Sequence, residues 1–402
     1  MQDPSTPAAP PRAESADDVF ETGRLITIAG GHAVHDTFTA FLPPLLPRFV
    51  EKLALSNTAA GLLSTFLQIP SLLQPVIGHL ADRTTLRWIV VLGPAVTATA
   101  MSFLGWAPTY GVLALLLLVA GISVAAFHAT APVAVGYLSG NRLGRGMGFW
   151  MVGGELGRTL GPLVVVSALA VMSLRSMAFL ALAGIAASMV LHLRLRTVAL
   201  RSRGDGEQIP WRRAVRAMRK LMALLAALIA MRSMMMMSIT IFLPIFLTEE
   251  GTSIWLAGAA LSIVEAAGIA GALAGGWLSD HVGRRAVLVF GHVAAPTALL
   301  LFLAAGGWIR IALLPVIGFT LLAIPPVFMA LVQERFPETR ALANGVFLSL
   351  NFAIRSLAAV GFGAVGDALG LSNAMLIAAF ATFGGLPLIW LLFRPGATVE
   401  SG

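Results

Sequence analysis

Cysteine is absent from this chain. Disulfides and thiolate metal sites are thereby excluded, and the redox character of the compartment leaves no trace. Charge is scarce as well. Asp, Glu, Lys and Arg make up 11% of the residues, against about 25% in an ordinary soluble domain. Hydrophobic residues make up 57%, and the mean hydropathy is +0.86. A water-soluble fold would need an implausibly large core to bury that much apolar surface. No nucleophile–base motif accompanies the few polar residues inside the apolar runs, which argues against a membrane-embedded enzyme.

What is present is a series of apolar runs, each long enough to cross ~30 Å of hydrocarbon. They lie near 25–47, 57–80, 88–106, 110–138, 146–171, 176–194, 220–247, 254–279, 286–305, 308–332, 341–366 and 372–393. Twelve spans imply an all-α membrane protein with six transmembrane helices in each half. The expected divisions are a tail over 1–23, a bundle over 24–194, a basic linker over 195–219, a second bundle over 220–394 and a short tail over 395–402. The first 23 residues are rich in Pro, Ala, Asp and Glu and lack an apolar run. They read as a disordered tail rather than a cleaved leader. Within the linker, Ile209-Pro210-Trp211 is expected to open a short amphipathic stretch on the lipid surface.

The net charge of +8 would suit nucleic acid, but its placement argues otherwise. If the N-terminus is cytoplasmic, the segments on that side carry 20 basic residues, those opposite carry four, and three Arg remain inside spans. That asymmetry is the positive-inside pattern, and it puts both termini in the cytoplasm.

One loop signature occurs twice. Gly78-His79-Leu80-Ala81-Asp82-Arg83, followed by Arg87, recurs as Gly276-Trp277-Leu278-Ser279-Asp280-His281, followed by Arg284 and Arg285. The Gly, Leu, Asp and Arg recur at a constant offset of 198 residues, about half the chain. Two equivalent halves of membrane helices make a transporter architecture, with the site at their interface.

Ionisable side chains at membrane depth cost roughly 2.5–3.5 kcal/mol each on insertion scales, so they are candidates for function. In the first span, His32 and Asp36 are four apart and share a face, with His35 beside them. A His–carboxylate pair suits a proton relay. A His/His/Asp metal site is the alternative. The lack of cysteine and of His-rich loops weighs against it, and neither metal nor cofactor is expected. His128 lies in the fourth span and Gln68 in the second, where it reaches either the cavity or another helix. In the fifth span, Glu155 and Arg158 are three apart and can touch. Gly153, Gly157 and Gly161 give that helix a small face for close packing. Arg158 is read as an anion-binding group and Glu155 as a proton sensor, against the plainer reading of an internal ion pair. Arg355 is the repeat-mate of Arg158, so the two are expected to face one another across a cavity. Arg232 either reaches the cavity or snorkels to the surface. Glu265 has no basic residue near it in sequence and reads as a carboxyl buried alone. His292 reads as a structural hydrogen-bond partner, and Met234 to Met237 as helix packing. Pro43, Pro44, Pro47, Pro244, Pro325 and Pro326 mark kinks.

The twin loop resembles the signature of the major facilitator superfamily. More specific stretches resemble its fosmidomycin-resistance branch: Gly31-His32 with Asp36, Leu42-Pro43-Pro44-Leu45-Leu46-Pro47, Leu73-Gln74-Pro75-Val76-Ile77-Gly78, Ala126-Phe127-His128, Val152-Gly153-Gly154 and Gln333-Glu334-Arg335-Phe336-Pro337. The resemblance implies a twelve-helix, alternating-access transporter of a bacterial inner membrane, driven by protons and exporting small drugs, an anionic phosphonate among them. It makes the partners a small molecule, protons and lipid, with no nucleic acid, and the chain a monomer. It also makes Gly78, Asp82, Arg83, Arg87, Gly276, Asp280, Arg284 and Arg285 a latch between the halves. Three departures stand out. Ala129-Thr130-Ala131 follow His128, where the branch has Pro and an acid. Glu155 replaces an amide, and Arg158 has no counterpart. An uptake symporter for an organic acid or sugar phosphate shares these features.

Overall fold

In a computed structural model, residues 20–74, 77, 86–140, 142–197, 211–336 and 340–394 are described. Among them the regular structure is helical. The first half contains α1 (Thr22–Thr39), α2 (Leu42–Leu53), α3 (Asn57–Gln68), α4 (Leu86–Ser102), α5 (Tyr110–Leu138), α6 (Leu143–Val171) and α7 (Ala181–Leu195). The second contains α8 (Trp211–Thr240), α9 (Leu243–Glu249), α10 (Ile254–Val282), α11 (Arg284–Ala304), α12 (Gly307–Leu322), α13 (Ile324–Arg335), α14 (Arg340–Leu369), α15 (Leu371–Phe383) and α16 (Gly385–Leu392). Ten stretches among the described residues are long and apolar enough to cross a membrane. The other two expected spans are helical too: α1 with α2, and α3 running into a 3-10 turn over Ile69–Leu73.

The breaks fall where proline dictates. Pro43 and Pro44 sit in the first turn of α2, Pro244 in that of α9, and Pro325 and Pro326 in that of α13. A proline there lacks only a hydrogen-bond donor that the first turn does not use. The break between α15 and α16, at Gly384, likewise has a proline, Pro387, in the first turn that follows. The expected surface stretch at Trp211 does not form a separate element. It is the start of α8, which runs unbroken to Thr240.

Helix starts repeat between the halves. The Ser56 hydroxyl accepts from Ala59 N–H at the start of α3, and the Ser253 hydroxyl accepts from Leu256 N–H at the start of α10. Each occupies an N-cap, where a serine oxygen satisfies a free backbone donor.

The halves meet through α3 against α14 and α6 against α10, with α2 touching α9 and α10. Gly61 lies under the Ala359 carbonyl, and Gly363 under that of Asn57, so side chains larger than hydrogen have no room there. The Asp367 carboxylate of α14 accepts from the N–H groups of Asn57 and Thr58, at 2.6 and 2.9 Å, at the start of α3. The Thr65 hydroxyl donates to the Ser356 carbonyl, and the Trp255 indole donates to Ser167. These contacts lie toward one end of the bundle, which carries the connections near 54–56, 107–109, 172–175 and 250–253; we call it the closed end.

Candidate functional site

The fifth-span glycines decide where the site forms. A Cβ on Gly153, Gly157 or Gly161 would collide with the carbonyl of Ala29, Ala33 or Thr37. The glycine face of α6 therefore lies directly on α1, as the spacing predicts. Gly154, beside that face, leaves room for the His32 ring and the Asp36 carboxylate.

Around this contact four helices bring polar groups together. His32, His35 and Asp36 come from α1, Thr97 from α4, Ser123 and His128 from α5, and Trp150 from α6. Asp36 Oδ2 is 3.3 Å from His32 Nε2, and Asp36 Oδ1 is 3.0 Å from His35 Nδ1 and 3.6 Å from His128 Nε2. The Nε2 atoms of His32 and His128 are 3.3 Å apart. The side chains of His32 and Asp36 are 5% and 6% exposed, whereas that of His128 is 30% exposed and opens the cluster on one side. The Trp150 ring stacks on His32 with centroids 3.5 Å apart, and its carbonyl takes the His32 Nδ1 hydrogen at 2.9 Å.

A directed chain of hydrogen bonds leaves His35. Ser123 donates to the Gly93 carbonyl, and Thr97 donates to Ser123. Thr97 has then used its only hydrogen, so it accepts from His35 Nε2 at 3.1 Å. With Nε2 protonated, the 3.0 Å contact of His35 Nδ1 with Asp36 Oδ1 needs one more hydrogen, on the ring or on the carboxyl.

The second group of charges spans the halves. Arg158 Nη2 is 2.5 Å from Glu155 Oε2, and Arg158 Nε is 3.8 Å from Glu265 Oε2 on α10. Glu265 is therefore not a lone carboxyl. Its partner comes from the other half, beyond the reach of sequence-local reasoning. The Arg158 side chain is 44% exposed. Arg355 differs: its Nε is buried with no partner, and its guanidinium has no ion pair among the described residues. Arg232 does not snorkel. It is buried, donates to the Leu321 carbonyl at 2.7 Å and leaves its own Nε unpartnered.

Other candidates have local roles. Gln68 donates to Ser64 in its own helix. His292 Nδ1 donates to the Leu288 carbonyl. Met235, Met236 and Met237 are buried in the core.

The described residues of the expected latch make their contacts within their own halves. Arg284 pairs with Asp280 at 2.6 Å and Glu334 at 2.7 Å, and also reaches Ser279. All belong to the second half. Gly283, at φ 92°, makes the turn that puts Arg284 there. Arg285 is exposed, and Gly276 has only an ordinary contact with Pro326. In the first copy, Arg87 donates to the Arg196 carbonyl at 2.9 Å, within the first half. Among the described residues, Arg87 and Arg284 thus each tie neighbouring helices within a half. Gly78, Asp82 and Arg83 lie outside the described residues.

Sequence reasoning missed Trp150, Thr97 and Ser123. Thr97 and Ser123 carried a signal, as hydroxyls inside apolar spans. Trp150 carried none, because its role depends on α6 crossing α1.

Comparison with known proteins bears on the fold and the family. The fosmidomycin resistance protein of Escherichia coli is 26% identical over 97% of this chain and 98% of its own length. An uncharacterized MFS-type transporter of Bacillus subtilis, YfnC, is 24% identical over 92% of this chain and 91% of its own. Among solved structures, the nucleoside transporter NupG, as a D323A mutant, superposes with a TM-score of 0.77 at 15% identity, covering 92% of this chain and all of that one. A bacterial homologue of the human lysosomal transporter Spinster, inward-facing and occupied, gives 0.76 at 15% identity, covering 92% and 96%. The family model of the Major Facilitator Superfamily matches residues 28–359. Ten membrane-crossing stretches among the described residues, with one ion pair reaching between the halves, are thus the frame of a multi-pass membrane transporter, and the chain belongs to the Major Facilitator Superfamily.

Proposed function

We propose that this transporter is a proton-coupled exporter of small organic anions, phosphonates among them, working by alternating access in a bacterial inner membrane with both termini cytoplasmic. The observation that carries the anion is Arg355. A guanidinium with a buried, unpartnered Nε at membrane depth needs a carboxylate or phosphonate, which it can grip as a fork. Arg158, its repeat-mate, lies in the other half against Glu265. The E. coli relative named for fosmidomycin resistance supports this substrate class. Asp36, with His35 and the two facing imidazoles, serves as the proton site. The hydrogen required between His35 and Asp36 supports that role. Glu155 and Glu265 hold Arg158 until substrate arrives. The basic asymmetry of the loops supports the orientation, which makes the closed end external.

Fosmidomycin binding to purified protein tests the anion site. Arg355→Lys keeps the charge but loses the fork, so affinity falls about ten- to a hundredfold. An unchanged affinity in a folded Arg355→Lys protein rejects the anion reading.

A further inference from the structure

We propose that His32, Asp36 and His128 form a three-ligand site for a divalent transition-metal ion of the zinc class. His32 Nδ1 faces the Trp150 carbonyl at 2.9 Å, and His128 Nδ1 faces the Val124 carbonyl at 3.1 Å. A carbonyl only accepts, so each Nδ1 carries the hydrogen. When the rings are neutral and the cluster has released its proton, each presents a bare lone pair on Nε2. Those two atoms are 3.3 Å apart, and Asp36 Oδ2 is 3.3 Å from the first. Three acceptors thus converge without a donor of their own, and a cation among them relieves the mismatch.

The spacing suits a metal. Zinc–ligand bonds of about 2.0–2.1 Å place neighbours of a tetrahedron about 3.3–3.4 Å apart. The ligand atoms of the trio all lie within 4.8 Å of one another. Two imidazoles and one carboxylate favour zinc or cobalt over calcium or magnesium, which prefer all-oxygen shells. The two main-chain carbonyls hold the rings as outer partners do in metal sites. Asp36 Oδ1 stays with His35, which leaves Oδ2 for the metal. The fourth position lies on the His128 side, where the cluster is open. Arg158, one turn beyond Gly154, is the nearby opposing charge, and it is held by Glu155 and Glu265.

Gly154 supplies an independent handle. A Cβ there would strike His32 Cε1 and stand 2.9 Å from Nε2. The ring cannot swing aside, because Trp150 stacks on its face. Gly154→Ala therefore disturbs the site while leaving every ligand in place.

The test is a Co2+ titration of purified protein carrying no polyhistidine tag, with neither substrate nor gradient present. Tetrahedral Co2+ shows intense visible bands, and without cysteine no thiolate can contribute to them. The proposal expects one Co2+ per chain, displaced by Zn2+ and not by Mg2+. It expects the bands to vanish in His128→Gln and the affinity to fall about tenfold or more in Gly154→Ala. His281→Gln, at an exposed histidine, leaves binding unchanged. Thermal unfolding without metal checks the fold of each variant, and Gly154→Ala carries the test if His128→Gln fails to fold. Absence of tetrahedral bands in the parent protein, or full binding in both folded variants, overturns the proposal. Either result leaves the transport reading standing, because binding is read without transport.

Discussion

At the scale of single residues, the balance between Arg158 and its two acids is the most informative feature. Glu155 sits one turn away in sequence, so that pair is legible from spacing alone. Glu265 is not, because the approach of α10 to α6 creates the 3.8 Å contact. The consequence is testable. Glu265→Gln removes one of the two negative charges that compete with substrate for Arg158. Phosphonate affinity, measured by calorimetry, is expected to rise several-fold. A fall would mean that Glu265 orients Arg158 for substrate rather than competing with it. Arg232 carries a second lesson. Its nearness to a basic linker suggested an escape to the surface, yet its guanidinium bonds the Leu321 carbonyl, close to the α12–α13 break.

At the scale of elements, glycine spacing on α6 was the strongest legible signal. Three glycines four apart foretold a close helix contact, and α1 supplies it. The proline breaks were legible for the same reason: both residues act through local backbone geometry. The polar network on α4 and α5 was not legible, because a hydroxyl in an apolar span gives no hint of its partner. Gly157→Val drives a branched side chain into the Ala33 carbonyl and the Asp36 Cβ. Overpacking of this kind costs about 1–3 kcal/mol. The expected result is a lower unfolding temperature, with transport lost together with the α1–α6 contact. Normal stability and transport would show that α1 can shift away from α6 freely.

At the scale of the whole molecule, the repeat and the apolar runs foretold the architecture, because both depend on composition and periodicity rather than on distant partners. Of the twin loops, the described Arg87 and Arg284 each bond within their own half, and the halves are joined at the closed end by Asp367 and the paired glycines of α3 and α14. Asp367→Asn weakens a charged cap on the start of α3. A carboxylate at a helix N-terminus is worth about 1 kcal/mol when exposed, so the closed end should open about fivefold more often. Probes placed across that end report the shift by their distance distribution, and an unchanged distribution would remove Asp367 from the gate.

The coupling of proton and anion movement is the central claim, and Asp36 is its pivot. The most direct measurement follows fosmidomycin movement and internal pH together in proteoliposomes, for the parent protein and Asp36→Asn. The account predicts that an imposed pH gradient drives phosphonate accumulation with accompanying proton movement in the parent. In Asp36→Asn the gradient should drive nothing, while exchange of labelled for unlabelled phosphonate continues. Full gradient-driven accumulation in Asp36→Asn would contradict it and move the proton to another carboxylate.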